Sequence, residues 1–306
     1  MKVCIIALDA LEYELVERFY CENLKQREYG KIDVTEFKQH SPTGEPFTPV
    51  VWSSFITGKM PNETGITIEP VDSSPGLEKV KRLVFRSDLA DRIVDLLSIR
   101  RWKLIKKMRR LRHGRFSGAR GVKEAWEIGE EYYKKMKLKT IFDSSKNPVV
   151  VALPAYKSYA QMAARETHTA VKETWMKFTK GEITGAEFIQ KETKLFEKEI
   201  DEALVMLEEK WDLFVFYTKI IDYVGHFFAW NTKAMWLFYE RADKFIEELG
   251  NRIRDDTFIL VISDHGMKKN GVHSDHAFYS TNIILGLTKP KITDFYGIIA
   301  EKLAAK

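Results

Sequence analysis

The chain has 306 residues, enough for one large α/β domain. Its 44% hydrophobic and 30% charged residues exclude global disorder. Two cysteines, Cys4 and Cys21, are too few for a disulfide framework, no apolar run approaches the roughly 20 residues that span a bilayer, and the net charge is a modest +5.

Residues 3–8 form a continuous apolar run rich in β-branched side chains, which predicts a buried parallel strand. Asp9 stops that run before it reaches the length of a secretory leader, so the expectation is a soluble, cytoplasmic protein. A helical pattern follows (Leu11, Leu15, Val16, Phe19). Strand, Asp, helix is how a doubly wound sheet opens, with Asp9 either a ligand at the strand's C-terminal tip or a plain helix cap. In Phe47-Thr48-Pro49, Thr48 suits an N-cap, Pro49 the first helical position and Gly58 the helix end. A hydroxyl there sits where a helix N-terminus favours an anion such as phosphate.

From about 70 to 145 the pattern is least sheet-like and predicts a helical cap inserted in a single domain spanning 1–306. Its segment 100–115 holds many Arg and Lys and no acid, with Leu97, Leu104, Met108 and Leu111 at helical spacing. Three roles compete for this basic helix: a solvated face, a lid attracting an anionic substrate, or a dock for nucleic acid or an anionic membrane surface. A further helix is predicted over 122–137.

The next strand is predicted over 147–153, with Tyr156 just beyond its tip. Helices are predicted over 159–178 and from the capping-box pattern Thr184-Gly185-Ala186-Glu187 onward. The strand 212–218 leads into Asp222-Tyr223-Val224-Gly225-His226, whose D-x-x-x-H spacing places both side chains one helical turn apart. A helix over 233–249, a strand over 257–262, a strand over 282–286 and a C-terminal helix complete the chain. Alternation of strands and helices predicts an α/β fold: a predominantly parallel sheet with helices on both faces.

Asp9, Asp222 and Asp264 each follow a predicted strand, and parallel strands share one C-terminal edge. His226, His265, His273 and His276 cluster in the last third of the chain. Imidazoles and carboxylates without thiolates suit Zn²⁺, Mn²⁺ or Fe, and six such ligands could hold two ions with positions open for chemistry. Thr48 adds a hydroxyl that a metal could activate.

Asp9, Thr48 in Phe-Thr-Pro, Asp222-x-x-x-His226, Ser263-Asp264-His265-Gly266 and the late His276 together resemble the alkaline phosphatase superfamily, in its type I phosphodiesterase/nucleotide pyrophosphatase branch. The resemblance implies two divalent ions, Zn²⁺ or Mn²⁺. One is expected on Asp9, Asp264, His265 and Thr48, the last also the nucleophile. The other is expected on Asp222, His226 and His276, with His273 and Tyr156 near the substrate or behind the ligands. It also implies hydrolysis of a phosphodiester or pyrophosphate of a small, nucleotide-like substrate through a phosphothreonine. Two departures stand out. The related enzymes carry an Asn three residues after the threonine where this chain has Val51, and a His-Gly-Ile where it has Thr64-Gly65-Ile66. Thr at position 48, rather than Cys or Ser, argues against a sulfatase. A phosphosugar mutase and a non-catalytic adaptor acting through the basic helix are the alternatives.

Overall fold

A computed structural model of the chain describes residues 1–41, 44–68, 122–157 and 166–305, with backbone only at 122–124. The basic segment 100–115, most of the expected insert and the expected start of the helix near 159 lie outside the described residues.

Six strands, β1 (Lys2–Leu8), β2 (Glu28–Asp33), β3 (Pro148–Val150), β4 (Leu213–Thr218), β5 (Thr257–Ile262) and β6 (His276–Thr281), join in one sheet of order β2-β6-β5-β1-β4-β3. The pairs β3·β4, β4·β1 and β1·β5 are parallel, whereas β6 runs antiparallel to both β5 and β2. The sheet is therefore mixed, with β6 alone reversed. β1, β4 and β5 are buried on both faces, which explains their unbroken apolar runs. Along β1, Cys4, Ile6 and Leu8 enter one helical layer with Phe196, Ile200 and Phe238, while Val3, Ile5 and Ala7 enter the other with Val50, Phe55 and Ile299.

The order β5-β1-β4 brings three strand tips side by side. Beyond β4, the helix Ile220–Phe228 begins almost at once. Below the opposite face lies the helix Thr48–Thr57, in which every residue is buried. Two of its hydroxyls turn inward on the helix itself: Ser53 Oγ donates to the Val50 carbonyl and Thr57 Oγ1 to the Ser53 carbonyl. Thr48 is the first helical residue rather than the cap; Phe47 occupies the cap position without a side-chain bond. The Thr48 hydroxyl is thus free of capping.

Several expectations shift. The expected strand over 282–286 gives way to β6, one segment earlier. Asn282 ends the ladder because its side chain takes over strand hydrogen bonds, accepting from Ile259 N–H at 2.9 Å and donating to the Thr257 carbonyl at 2.8 Å. The helix expected over 122–137 divides into Val122–Glu127 and Glu130–Met136, and Tyr133, Ile141 and Phe142 of this stretch join the core beneath the Thr48 helix. β2 had no clear apolar alternation, as befits a polar edge strand containing Gly30. The capping box at Thr184 is present, with Glu187 N–H donating to Thr184 Oγ1 and Thr184 N–H to the Glu187 carboxylate.

Gly58 ends the Thr48 helix at φ 65°, and a Cβ there would lie 2.8 Å from the Tyr296 side chain. Gly58→Ala is expected to lower the unfolding free energy by about 1–3 kcal/mol, read as a lower urea midpoint.

Candidate metal centre

The functional side chains reach the site from strand tips, from the helix after β4, from the start of the Thr48 helix and from the loop after β5. Asp9 follows β1, Asp264 and His265 follow β5, and Asp222 and His226 stand one turn apart on the helix Ile220–Phe228. Between β5 and β6 the chain folds into a narrow hairpin. Gly266 N–H donates to the His276 carbonyl and Ser274 N–H to the Gly266 carbonyl, each at 2.8 Å, and Met267 bridges His273. This pairing lays the His265 and His273 rings face to face, 3.7 Å between centroids and 12° from parallel.

Two clusters of ligand atoms result. In the first, His265 Nε2 stands 3.4 Å from Asp9 Oδ1, 3.4 Å from Asp264 Oδ2 and 3.4 Å from Thr48 Oγ1. In the second, Asp222 Oδ1, His226 Nε2 and His273 Nε2 are separated by 3.3, 3.4 and 3.5 Å. Ligands held about 2.0–2.1 Å from a tetrahedral ion stand roughly 3.3–3.4 Å apart, so these separations fit coordination edges and exceed ordinary hydrogen bonds.

Charge and hydrogen bonding fit the same donor set. Asp9 Oδ1, Asp222 Oδ1 and both oxygens of Asp264 are buried and receive no hydrogen bond. Anions left this way are costly unless a cation joins them. Burial and the neighbouring Asp264 and Asp222 push the Asp9 carboxyl well above its usual range, although the Tyr217 hydroxyl, donating at 2.5 Å, opposes this. Burial also works against ionised Asp222, but His226 and His273 outweigh it and hold that carboxyl well below the usual range. The histidines are oriented for ligation. Nδ1 of His226 lies 3.1 Å from the Gly271 carbonyl, Nδ1 of His273 2.9 Å from the Pro46 carbonyl, and Nδ1 of His265 3.2 Å from the Gly266 carbonyl. A backbone carbonyl accepts only from the protonated nitrogen, so in the neutral ring that binds a metal each Nε2 lone pair faces the carboxylates, whereas in the metal-free chain it is a protonated Nε2 of His226 and His273 that lowers Asp222.

The structure brings His273, not the expected His276, to Asp222 and His226. His276 opens β6 in register with Asp33, on the face that carries Phe278 rather than toward the hairpin's inner edge. Its Nε2 meets Glu12 at 2.7 Å and Glu14 at 3.0 Å. Those are hydrogen-bond distances, and in the metal-free chain this third acidic cluster is held as an ion pair. Tyr156 stacks on Phe142 at 3.6 Å, with Glu130 and Asp143 as its charged neighbours, apart from both ligand clusters. Tyr217, the donor to Asp9, gave no sequence signal because it sits inside an apolar strand; Glu12 likewise looked like an ordinary helical residue.

A mixed α/β sheet with Asp/His clusters and a helix-borne hydroxyl at its C-terminal edge matches an alkaline phosphatase-like fold. The chain belongs to the Type I phosphodiesterase / nucleotide pyrophosphatase family, which it matches over residues 3–288. It is also similar to GPI ethanolamine phosphate transferase 2 of Yarrowia lipolytica, 23% identical over 158 residues; the match covers 49% of this chain but only 18% of that protein. Among solved structures, the PH0037 protein from Pyrococcus horikoshii aligns over 99% of this chain and 97% of its own, at 13% identity and a TM-score of 0.44. Among the described residues no helix is long and apolar enough to cross a membrane.

Two outcomes follow for the histidines. With Mn²⁺ or Zn²⁺ in excess, His273→Ala is expected to lose one of two bound ions and His276→Ala to keep both, counted by elemental analysis. In the metal-free chain, burial lowers His265 to about 4. Its neutral form therefore favours folding above about 6.5, and that contribution is lost as pH falls toward about 4. His276 behaves in the opposite sense. Burial lowers it, but Glu12 and Glu14 more than compensate and raise it; its contribution is complete below about 6.5 and lost as pH rises through the raised value. An NMR titration of the imidazoles is expected to show His276 protonating before His265 as pH is lowered.

Proposed function

We propose that the chain is a two-metal hydrolase of phosphodiesters or nucleotide pyrophosphates, working through a phosphothreonine at Thr48. The carrying observation is the Thr48 hydroxyl held 3.4 Å from His265 Nε2 at a cluster whose buried carboxylate oxygens lack hydrogen-bond partners. Asp9, Asp264, His265 and Thr48 would hold one ion; Asp222, His226 and His273 would hold the other. Bound divalent ions would supply positive charge for phosphoryl oxygens and make a nearby hydroxyl or water a better nucleophile. Zn²⁺ or Mn²⁺ suits these ligands.

Within that frame the chain's own residues have separate tasks. Thr48 Oγ1 attacks phosphorus in line with the leaving oxygen, forming the P–Oγ1 bond as the ester or anhydride bond breaks; the hydroxyl proton passes to solvent and the leaving oxygen departs as an alcohol or a phosphate. The N-terminal end of the Thr48 helix favours the negative charge of the bound phosphoryl group. Tyr217 fixes Asp9, and the three backbone carbonyls fix the imidazole orientations. Water then cleaves the phosphothreonine and restores Thr48.

The similarity to an ethanolamine phosphate transferase favours a second reading, in which an acceptor alcohol replaces water in the last step. A panel of mono-, di- and pyrophosphate substrates, assayed with Mn²⁺, Zn²⁺ and Mg²⁺ and with or without added alcohols, separates the two. Hydrolysis predicts a free phosphate or phosphomonoester product; transfer predicts a new phosphodiester, and a mutase would return the phosphoryl group to the substrate. Thr48→Ala is expected to lower turnover by at least about a hundredfold and to leave no radiolabelled phosphoenzyme in acid-quenched reactions. A trapped phosphoenzyme in that variant would sink the assignment of Thr48.

A further inference from the structure

We infer that Glu12 is a positioning residue that sets the two candidate ion centres relative to each other. The inference rests on the two-ion reading above and extends it to a residue outside both ligand sets. Glu12 leaves the β1 segment three positions after Asp9, and its side chain is buried. Its backbone N–H is anchored by the buried Tyr239 hydroxyl at 2.7 Å. Its carboxylate then reaches across to the hairpin between β5 and β6. Oε2 accepts the Ser274 hydroxyl and Oε1 pairs with His276 at 2.7 Å.

Those contacts fall between the ligands. Gly266 directly follows His265, and Ser274 directly follows His273. The backbone bonds between Gly266, Ser274 and His276 form the rungs that set the two imidazoles face to face. Glu12 presses on those rungs. A Cβ built on Gly266 would collide with its carboxylate, so Gly266 is the residue that lets Glu12 sit against the hairpin backbone. One carboxylate thereby ties the segment carrying Asp9 to the loop carrying Asp264, His265 and His273.

The outward side of Glu12 is a charge chain rather than a ligand set. His276 bridges Glu12 and Glu14, and Glu14 pairs with Lys31 at the surface. The Glu12 carboxyl is thus partnered on its outer side by His276 and on its inner side by Ser274, with no metal needed to hold it in place. The late histidine that resembles a ligand in sequence therefore serves the centres from behind, through Glu12.

The test is Mn²⁺ titration of the full chain by calorimetry, well below the melting temperature, for the wild type, Glu12→Ala and Ser274→Ala. Residues that support metal ligands change affinity by about 10–100-fold when removed, and Glu12→Ala is expected to weaken Mn²⁺ at the His273 centre by that factor. Ser274→Ala loses one hydrogen bond and is expected to weaken the same centre about fivefold, which keeps the inference testable if Glu12→Ala does not fold. A purely structural role would lower the melting temperature and leave the affinity of the folded chain unchanged. Wild-type binding of two ions with unchanged affinity in the folded variants overturns the role of Glu12 alone. A wild-type chain that takes up no Mn²⁺ overturns the two-ion reading and this inference with it.

Discussion

The arrangement depends on unpaired negative charge at one edge of the sheet. Asp9, Asp264 and Asp222 come from the tips of β1 and β5 and the helix that follows β4, three adjacent strands, and are buried with oxygens that receive no hydrogen bond. Such a group of anions is strongly unfavourable unless cations complete it. The surrounding structure holds the carboxylates in place without neutralising them all. Tyr217 serves one oxygen of Asp9, and His226 and His273 stand beside Asp222. The remaining unpartnered oxygens converge on points where imidazole nitrogens and the Thr48 hydroxyl also converge. A fold that tolerates this cost is stabilised by its buried strands, and the parallel pairing β5·β1·β4 is what makes the three tips neighbours.

Each face of the sheet contributes a different part. The Thr48 helix belongs to the layer of Val3, Ile5 and Ala7, and the opposite layer packs the helix that carries Asp222 and His226 through Val224 and Phe227. Neither helix alone makes a centre. They meet above the strand tips through the hairpin after β5, which contributes ligands to both clusters. The Pro46 carbonyl that orients His273 lies two residues before Thr48, and the Gly271 carbonyl that orients His226 lies in the hairpin. The nucleophile's segment therefore orients a ligand of the other centre, and the hairpin orients the ligand helix.

Much of this could be read from the sequence where one residue type has one physical use. An apolar run ending in Asp marks a strand tip, D-x-x-x-H marks one face of a helix turn, and Thr-Pro marks a helix start. Five such signals in order were enough for the sheet and the family. Choosing between His273 and His276 needed information of another kind. Both follow β5 within a short stretch, and only the hairpin register decides which one faces Asp222. A one-residue change of register would reverse the side-chain faces. β6 starts at His276 rather than at Asn282, so the register that moves the strand also turns His276 toward Glu12 and Glu14 and leaves His273 beside Asp222. Tyr217 and Glu12 were invisible because their partners are far away in sequence.

The stacked pair His265 and His273 shows why tautomers matter as much as positions. Two protonated rings at 3.7 Å would repel, and burial disfavours protonation of His265. Each ring donates its Nδ1 hydrogen to a backbone carbonyl, so each keeps an Nε2 lone pair, and those lone pairs point to different carboxylate groups. The stack is thus a partition between centres. Its two rings are held in contact by the hairpin rungs, yet each ring's lone pair belongs to a different donor set. Moving either carbonyl would allow the other tautomer and turn a ligand nitrogen into a hydrogen-bond donor facing a carboxylate, which would satisfy the anion without a metal. The backbone of the hairpin and of the segment before Thr48 therefore fixes the Nδ1 partners, and with them which ring nitrogen faces each carboxylate.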